Sequence, residues 1–257
     1  MYQLRFMPYL LFNPFLAALV YTYNGFQGKK FPMQSTKEGI LAYLKRSGGS
    51  TIEGLAKEFG LAKMTVRQHL AALERDHLVA SHEERGRTGR PHLVYQLTDG
   101  GEEHFPRRYE RLAELALAEV AMLDAEEIAG LSANDKKRLL LVKMAERVYR
   151  EHEERVREKE LPERVQIVTD ILREEGGFAE WSASGSGYEI ADHNCVYRRV
   201  VESHPDLCDW HVSLLGRLLG KDVECAQYMS RGADSCRFLV KDETPETELQ
   251  MTERNPT

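Results

Sequence analysis

The sequence predicts a mainly α chain with α+β parts: an N-terminal winged helix-turn-helix, central dimerisation helices and a small C-terminal α+β sensor domain. Three observations predict it. Two short apolar-striped helices meet at Gly60 and are followed by a basic loop between two β-forming runs. Apolar residues then recur at helical spacing from Tyr109 to Val156, and all four cysteines fall between Cys195 and Cys236.

Bulk properties set the frame. A chain of 257 residues with 42% hydrophobic and 30% charged side chains has apolar matter for two or three packed modules and is not a long disordered polymer. The net charge of -6 is unevenly spread. Residues 1–150 carry 22 Lys and Arg against 18 Asp and Glu, whereas the remainder carries 13 against 23, so a polyanion would meet the N-terminal half.

Residues 1–34 form a hydrophobic extension. The run FMPYLLFNPFLAALVYTY from Phe6 to Tyr23 nearly has membrane length, but Pro8, Asn13 and Pro14 interrupt it and Arg5 alone flanks it with positive charge. No small-x-small cleavage site follows. Met33, just ahead of a helix-start signal at Ser35 with Glu38 three residues on, makes a more natural beginning, and no stable membrane association is expected.

Residues 35–98 read as the winged helix-turn-helix. Ile40, Leu41 and Leu44 share one face of a first helix ending at Gly48-Gly49; Thr51 caps a second helix with Leu55, Ala56 and Phe59 inward. Gly60 supplies the positive φ that a tight turn needs. In the third helix, from Ala62 to Arg75, Val66, Leu70 and Leu73 face the core, which leaves Met64, Gln68 and Arg75 opposite, flanked by Thr65 and Arg67. Such a polar face can enter a major groove. Leu78-Val79-Ala80 and Leu93 to Leu97 are β-forming runs around the loop HEERGRTGRPH, a wing whose Arg85, Arg87 and Arg90 can approach phosphates or a minor groove. With Lys63, these side chains are the expected DNA contacts. Nothing in the chain looks like a nucleophile elbow, a P-loop or an HExxH helix, so an enzyme is not expected.

Residues 99–162 read as dimerisation helices. Tyr109, Leu112, Ala116, Val120 and Leu123 recur at helical spacing, and a second helix starts near Asn134-Asp135 with Leu141, Met144, Val148 and Val156 on one side. A homodimer would align two recognition helices with the half-sites of a pseudo-palindromic operator in double-stranded DNA. Leu161-Pro162 marks the next boundary.

Residues 163–240 read as a sensor domain: a helix over Val165 to Leu172, two strands around Gly185-Ser186-Gly187, helices from Tyr197 to His204 and from Trp210 to Leu219, and a closing hairpin turning at Gly232. Cys195 is expected at a strand-to-helix junction, Cys208 in a loop after His204-Pro205, and Cys225 and Cys236 on the hairpin. There is no C-x2-C knuckle, so by spacing the thiols could be structural or reactive, bind zinc, or hold an iron-sulfur cluster. Residues 241–257 read as a disordered tail. The clustered thiols and the lack of an export signal suggest the cytoplasm.

GLAKEFGLAKMTVRQHLAALERDHLV, the motif G-R-P-x-x-x-Y-x-L-T at Gly89 to Thr98 and F-P-x-R-Y at Phe105 to Tyr109 together resemble the winged-helix regulators related to ArsR and DeoR, in particular the SufR-like branch. The resemblance spans about residues 35–240. It implies an iron-sulfur cluster, 4Fe-4S or 2Fe-2S, and repression of genes for cluster assembly. Asn194-Cys195, Cys208 with twelve residues between, and Cys236 ahead of Phe238-Leu239-Val240 match that branch's cysteine pattern, so these three cysteines are implied ligands. Cys225 matches only some members. The fourth ligand is left among Cys225, His204, His211 and an exogenous group. A regulator of the same architecture that responds to thiol oxidation, zinc or an organic ligand is the alternative.

Overall fold

The computed structural model describes residues 35–85, 91–185 and 187–242. The hydrophobic extension and residues 243–257 of the tail lie outside that range. Among the described residues no helix is long and apolar enough to cross a membrane.

Helix α1 (Thr36–Ser47) starts where Ser35 Oγ accepts from the Glu38 amide at 3.2 Å, and it stops at Gly48, which takes the left-handed conformation with φ 70°. Helix α2 (Ile52–Phe59) is capped by Thr51 Oγ1, which accepts from the Gly54 amide at 3.1 Å. Gly60, with φ 63°, turns the chain into α3 (Lys63–Arg75). The antiparallel strands β1 (Val79–Glu84) and β2 (His92–Leu97) pair from Val79 with Leu97 to Glu84 with His92. Ser50 joins them as a short third strand through reciprocal bonds of 2.9 and 2.8 Å with Tyr95. Ile40, Leu55, Val66, Leu70, Val79 and Tyr95 form the core beneath.

The wing differs from its sequence reading. Both strands run on into the expected loop, to Glu84 on one side and from His92 on the other. Beyond Val79 every residue of β1 is exposed, so backbone pairing holds the ribbon, and side-chain alternation does not report backbone pairing.

Thr98 caps the short α4 (Asp99–Glu103), which the sequence reading missed. Then come α5 (Tyr109–Val120), α6 (Ala125–Ile128), α7 (Ala133–Val156) and α8 (Leu161–Glu174). Strands β3 (Ala179–Ser184) and β4 (Gly187–Asp192) lead to α9 (Arg198–Ser203) and α10 (Asp206–Leu219), and β5 (Val223–Gln227) and β6 (Cys236–Lys241) close an antiparallel sheet ordered β3-β4-β6-β5.

One continuous core joins α5, α7, α8, α9, α10 and the four-stranded sheet. Leu115 of α5, Met144 of α7, Val168 of α8, Leu215 of α10 and Phe238 of β6 belong to it together, so the segments before and after Leu161 are built on the same apolar interior. Pro162 sits in the first turn of α8, where its missing N–H costs no helical bond.

The stripe on α5 is rotated from the expected one. Leu112, Leu115 and Glu119 are inward, Glu119 because it is ion-paired with Arg147, whereas Val120 is 52% and Leu117 70% exposed.

Candidate functional site

The outward side of α3 follows the helical period. Met64, Arg67, Gln68 and Arg75 are all exposed and Thr65 is half-exposed, while Val66, Leu70 and Leu73 anchor the helix. Met64 is 61% exposed in the first turn. Arg75 lies in the last turn. Lys63 is already engaged, because its Nζ lies 2.7 Å from Glu53 Oε1 on α2. That hydrogen bond holds the Glu53 carboxyl below the usual range. Arg85 is exposed just after β1, and Arg87 and Arg90 lie outside the described residues.

The cysteines sit on four different elements. Cys195 occupies the β4–α9 junction, Cys225 the middle of β5 and Cys236 the first position of β6. Cys208 is the third residue of α10, not a loop residue as the sequence suggested: Pro205 precedes a first turn bearing Asp206 and Asp209, a favourable helix start that begins four residues earlier than expected.

These elements bring the four thiols near one another, in a loose ring of neighbouring pairs. Cys195 lies within electrostatic reach of Cys208, Cys208 of Cys225, and Cys236 of Cys195, while Cys225 and Cys236 hydrogen-bond each other. Cys208 Sγ is 3.4 Å from Ser230 Oγ, Cys225 Sγ is 2.9 Å from the Gln227 carbonyl, and the Met229 amide donates to Cys236 Sγ at 3.5 Å. Burial pushes the Cys195 thiol up to about 11 and raises Cys208 as well. The bond with Cys225, reinforced by burial, raises Cys236, and the same bond lowers Cys225. Three of the four thiols therefore resist ionising unless positive charge arrives with a ligand.

Among the described residues no three His, Cys, Asp or Glu side chains are gathered so as to hold a metal ion as they stand. A cavity of about 80 Å³ reaches the ring, lined by Cys195, Cys236, Met229, Trp210 and His211 among others. His211 stacks on Trp210 at 6.1 Å and meets Phe238 edge-on at 5.7 Å, and burial pushes its imidazole down to about 4, so it is neutral near pH 7. The Trp210 indole N–H is buried and makes no hydrogen bond. His204 is exposed at the end of α9.

Sequence reasoning missed the residues that clasp this ring. Asn194 is buried; its Nδ2 donates to the Pro106 carbonyl at 3.1 Å and the Gly176 carbonyl at 2.8 Å, and its Oδ1 accepts from Arg107 Nη1 at 2.7 Å. The same Nη1 reaches the Cys195 carbonyl at 3.4 Å, and the Arg108 amide donates to the Val196 carbonyl at 3.0 Å. Asp192 accepts from the Phe178 amide at 2.8 Å and the Asn194 amide at 3.1 Å. Arg107 holds the unspecified position of F-P-x-R-Y, so that motif gave no signal for it, whereas Asn194 stood in the Asn194-Cys195 pattern without a role assigned.

A search of curated proteins finds no match. Residues 33–80, which contain α1, α2 and α3, match a family model described as winged helix-turn-helix DNA-binding. The chain thus carries a winged helix-turn-helix DNA-binding domain, with the polar face of α3 turned outward, and is a DNA-binding protein of the transcription-regulator kind.

Proposed function

We propose that this chain is a cytoplasmic, SufR-like transcriptional repressor of iron-sulfur cluster assembly genes, whose affinity for a pseudo-palindromic operator depends on an iron-sulfur cluster held by Cys195, Cys208 and Cys236, with Cys225 as fourth ligand. The observation that carries the reading is the ring itself. Four thiols from a junction, a helix and two strands lie near one another, and burial disfavours the thiolate at Cys195 and Cys208 unless a cationic centre compensates. Thiolates are the usual ligands of iron-sulfur clusters, and the sequence offers no C-x2-C knuckle of the commonest zinc sites. When bound, such a cluster supplies an oxidisable and removable cross-link between the four elements.

The protein's own residues do the rest. Lys63, Met64, Thr65, Arg67, Gln68 and Arg75 of α3 supply groove and phosphate contacts, and Arg85, Arg87 and Arg90 supply the wing's charge. Leu117, Val120 and Met122 at the end of α5 and Val142 on α7 are exposed apolar side chains that a second protomer would cover.

A thiol-oxidation switch is the second reading, favoured by the Cys225–Cys236 hydrogen bond and the lowered Cys225 thiol. There a peroxide would take two electrons and two protons from the pair and leave a disulfide and water. One experiment separates the two. Protein purified without oxygen is analysed for iron, sulfide and absorption, alongside Cys195→Ser, Cys208→Ser, Cys225→Ser and Cys236→Ser. The cluster reading expects stoichiometric iron and sulfide, lost in the Cys195, Cys208 and Cys236 variants. A colourless wild type that cannot be reconstituted with ferrous iron and sulfide overturns it.

A further inference from the structure

The winged helix and the cysteine ring touch within one protomer. On the ring's side, Asn194 and Cys195 are held by Arg107, on the segment that leaves the winged helix. Arg107 also donates to the Glu102 carbonyl, and the Glu102 carboxylate takes Arg198 at 2.8 Å and pairs with Lys45, a lysine only 4% exposed on the last turn of α1. The same end of α1 meets the cysteine hairpin. Gly48 packs against the Asp234 carboxylate so closely that a methyl group there would lie 3.0 Å from Cγ, and Asp234 is two residues from Cys236. A third bond of contact runs through Phe178, which meets Phe105 of the winged-helix core edge-on at 5.2 Å while its amide is tied to Asp192, the cross-strand neighbour of Cys236.

These contacts join the two regions within one protomer, without passing through the helices expected to form a dimer. The C-terminal end of α1 meets Glu102, itself tied to Arg107 and Arg198, on one side and Asp234, two residues from Cys236, on the other, and α1 shares its core with α3. A planar guanidinium fixes direction as well as distance, so Arg107 cannot follow a displaced Asn194 without giving up one of its carbonyl bonds.

We propose that Arg107 and Asn194, aided by Asp234, are positioning residues that couple occupancy of the cysteine ring to the pose of α1 and α3 on DNA within each protomer. The inference rests on reading the ring as a ligand site. It separates two roles that sit together in the chain: the cysteines bind, and Arg107 and Asn194 transmit.

The test uses the full chain under anaerobic conditions and a duplex enriched from a random pool by wild-type protein loaded with ferrous iron and sulfide. Duplex affinity, iron and sulfide content, and hydrogen exchange over residues 36–47 are measured for loaded and chelator-stripped wild type, Arg107→Lys, Asn194→Ala and Asp234→Ala. Wild type is expected to show at least a tenfold affinity ratio between the two forms, about 1.4 kcal/mol, and a change in exchange over α1. Arg107→Lys and Asp234→Ala are expected to bind iron and sulfide as wild type does and to melt cooperatively, yet to lose most of that ratio and the change in exchange. Variants that keep the full ratio overturn this inference and leave the cluster reading standing. A wild type with no ratio overturns both. If Asn194→Ala does not fold, the two other variants, which leave the bonds from Asn194 to Pro106 and Gly176 in place, decide the matter.

Discussion

Arg107 Nη1 donates to Asn194 Oδ1 across 2.7 Å, joining the segment that leaves the winged helix to the residue immediately before Cys195. Both partners are largely buried, so the bond is made where water cannot readily replace it, and losing the Arg107 guanidinium leaves the Asn194 Oδ1 without this donor at a cost of about 1–3 kcal/mol. The DNA-binding domain and the cysteine domain are consequently not beads on a flexible string. What happens to the backbone at Asn194 is felt at α1.

The Glu53–Lys63 pair makes a prediction of opposite sign to most mutations. Both side chains are exposed, so the pair adds little stability, but it occupies a lysine at the start of the recognition helix and sets a carboxylate beside the phosphates. Glu53→Gln should tighten binding to any duplex several-fold and steepen the salt dependence by about one unit in slope. Fluorescence anisotropy over a salt series checks it, and weaker binding would count against this face as the DNA face.

Residues on α3 should divide by role. Arg67→Ala is expected to weaken all duplexes about equally, as loss of a phosphate contact does. Gln68→Ala and Met64→Ala are expected to cost about 1–3 kcal/mol on the selected duplex and to relax base preference at one position each. Repeating the selection with each variant reads this out directly.

Leu117 and Val120 are largely exposed on the isolated protomer, so replacing either with glutamate removes little intramolecular packing. Leu117→Glu together with Val120→Glu should convert a dimer to monomer in sedimentation experiments with little change in secondary structure. A dimer that survives would move the interface elsewhere.

Two buried groups give the iron-free protein opposing pH responses. Burial pushes Asp192 up to about 6 from its ordinary 3.8, so between these values the folded chain holds a proton that the unfolded chain has released, and stability from this group falls as pH rises. His211 is pushed down to about 4 from 6.5, so its contribution is present above pH 6.5 and is lost as pH falls towards 4. Asp192→Asn should therefore gain on wild type as pH rises from 4 to 6, by up to about 3 kcal/mol, and His211→Asn should gain as pH falls over the same range. Urea unfolding across that range tests both signs.

Gly48→Ala should destabilise by about 1 kcal/mol or more, because φ is 70° and the Asp234 carboxylate fills the space a side chain would need. Thermal melting measures it.

The winged helix was legible because its signals are local. Ser35, Thr51 and Gly60 act within three or four residues, and Val66, Leu70 and Leu73 repeat at the helical period. The full length of β1 was not, since its outer residues are held by backbone bonds to β2 and carry no apolar pattern. The buried face of α5 was misaligned because Glu119, an acidic residue, is inward through its pairing with Arg147 while Val120 points out. The cysteines announced themselves by clustering, but their ring depends on β4 pairing with β6 across more than forty residues, a register no local pattern encodes. Arg107 stands at the unspecified position of the motif at Phe105 to Tyr109, so its clasp on Asn194 became visible only when the fold brought residue 194 beside it.

The most direct test is one wild-type preparation measured three times on one selected duplex: as purified without oxygen, after iron removal with thiols kept reduced, and after reloading with ferrous iron and sulfide. Affinity should fall at least tenfold on removal, about 1.4 kcal/mol, and return on reloading. Equal affinity in all three states would contradict control of DNA binding by the cysteine ring.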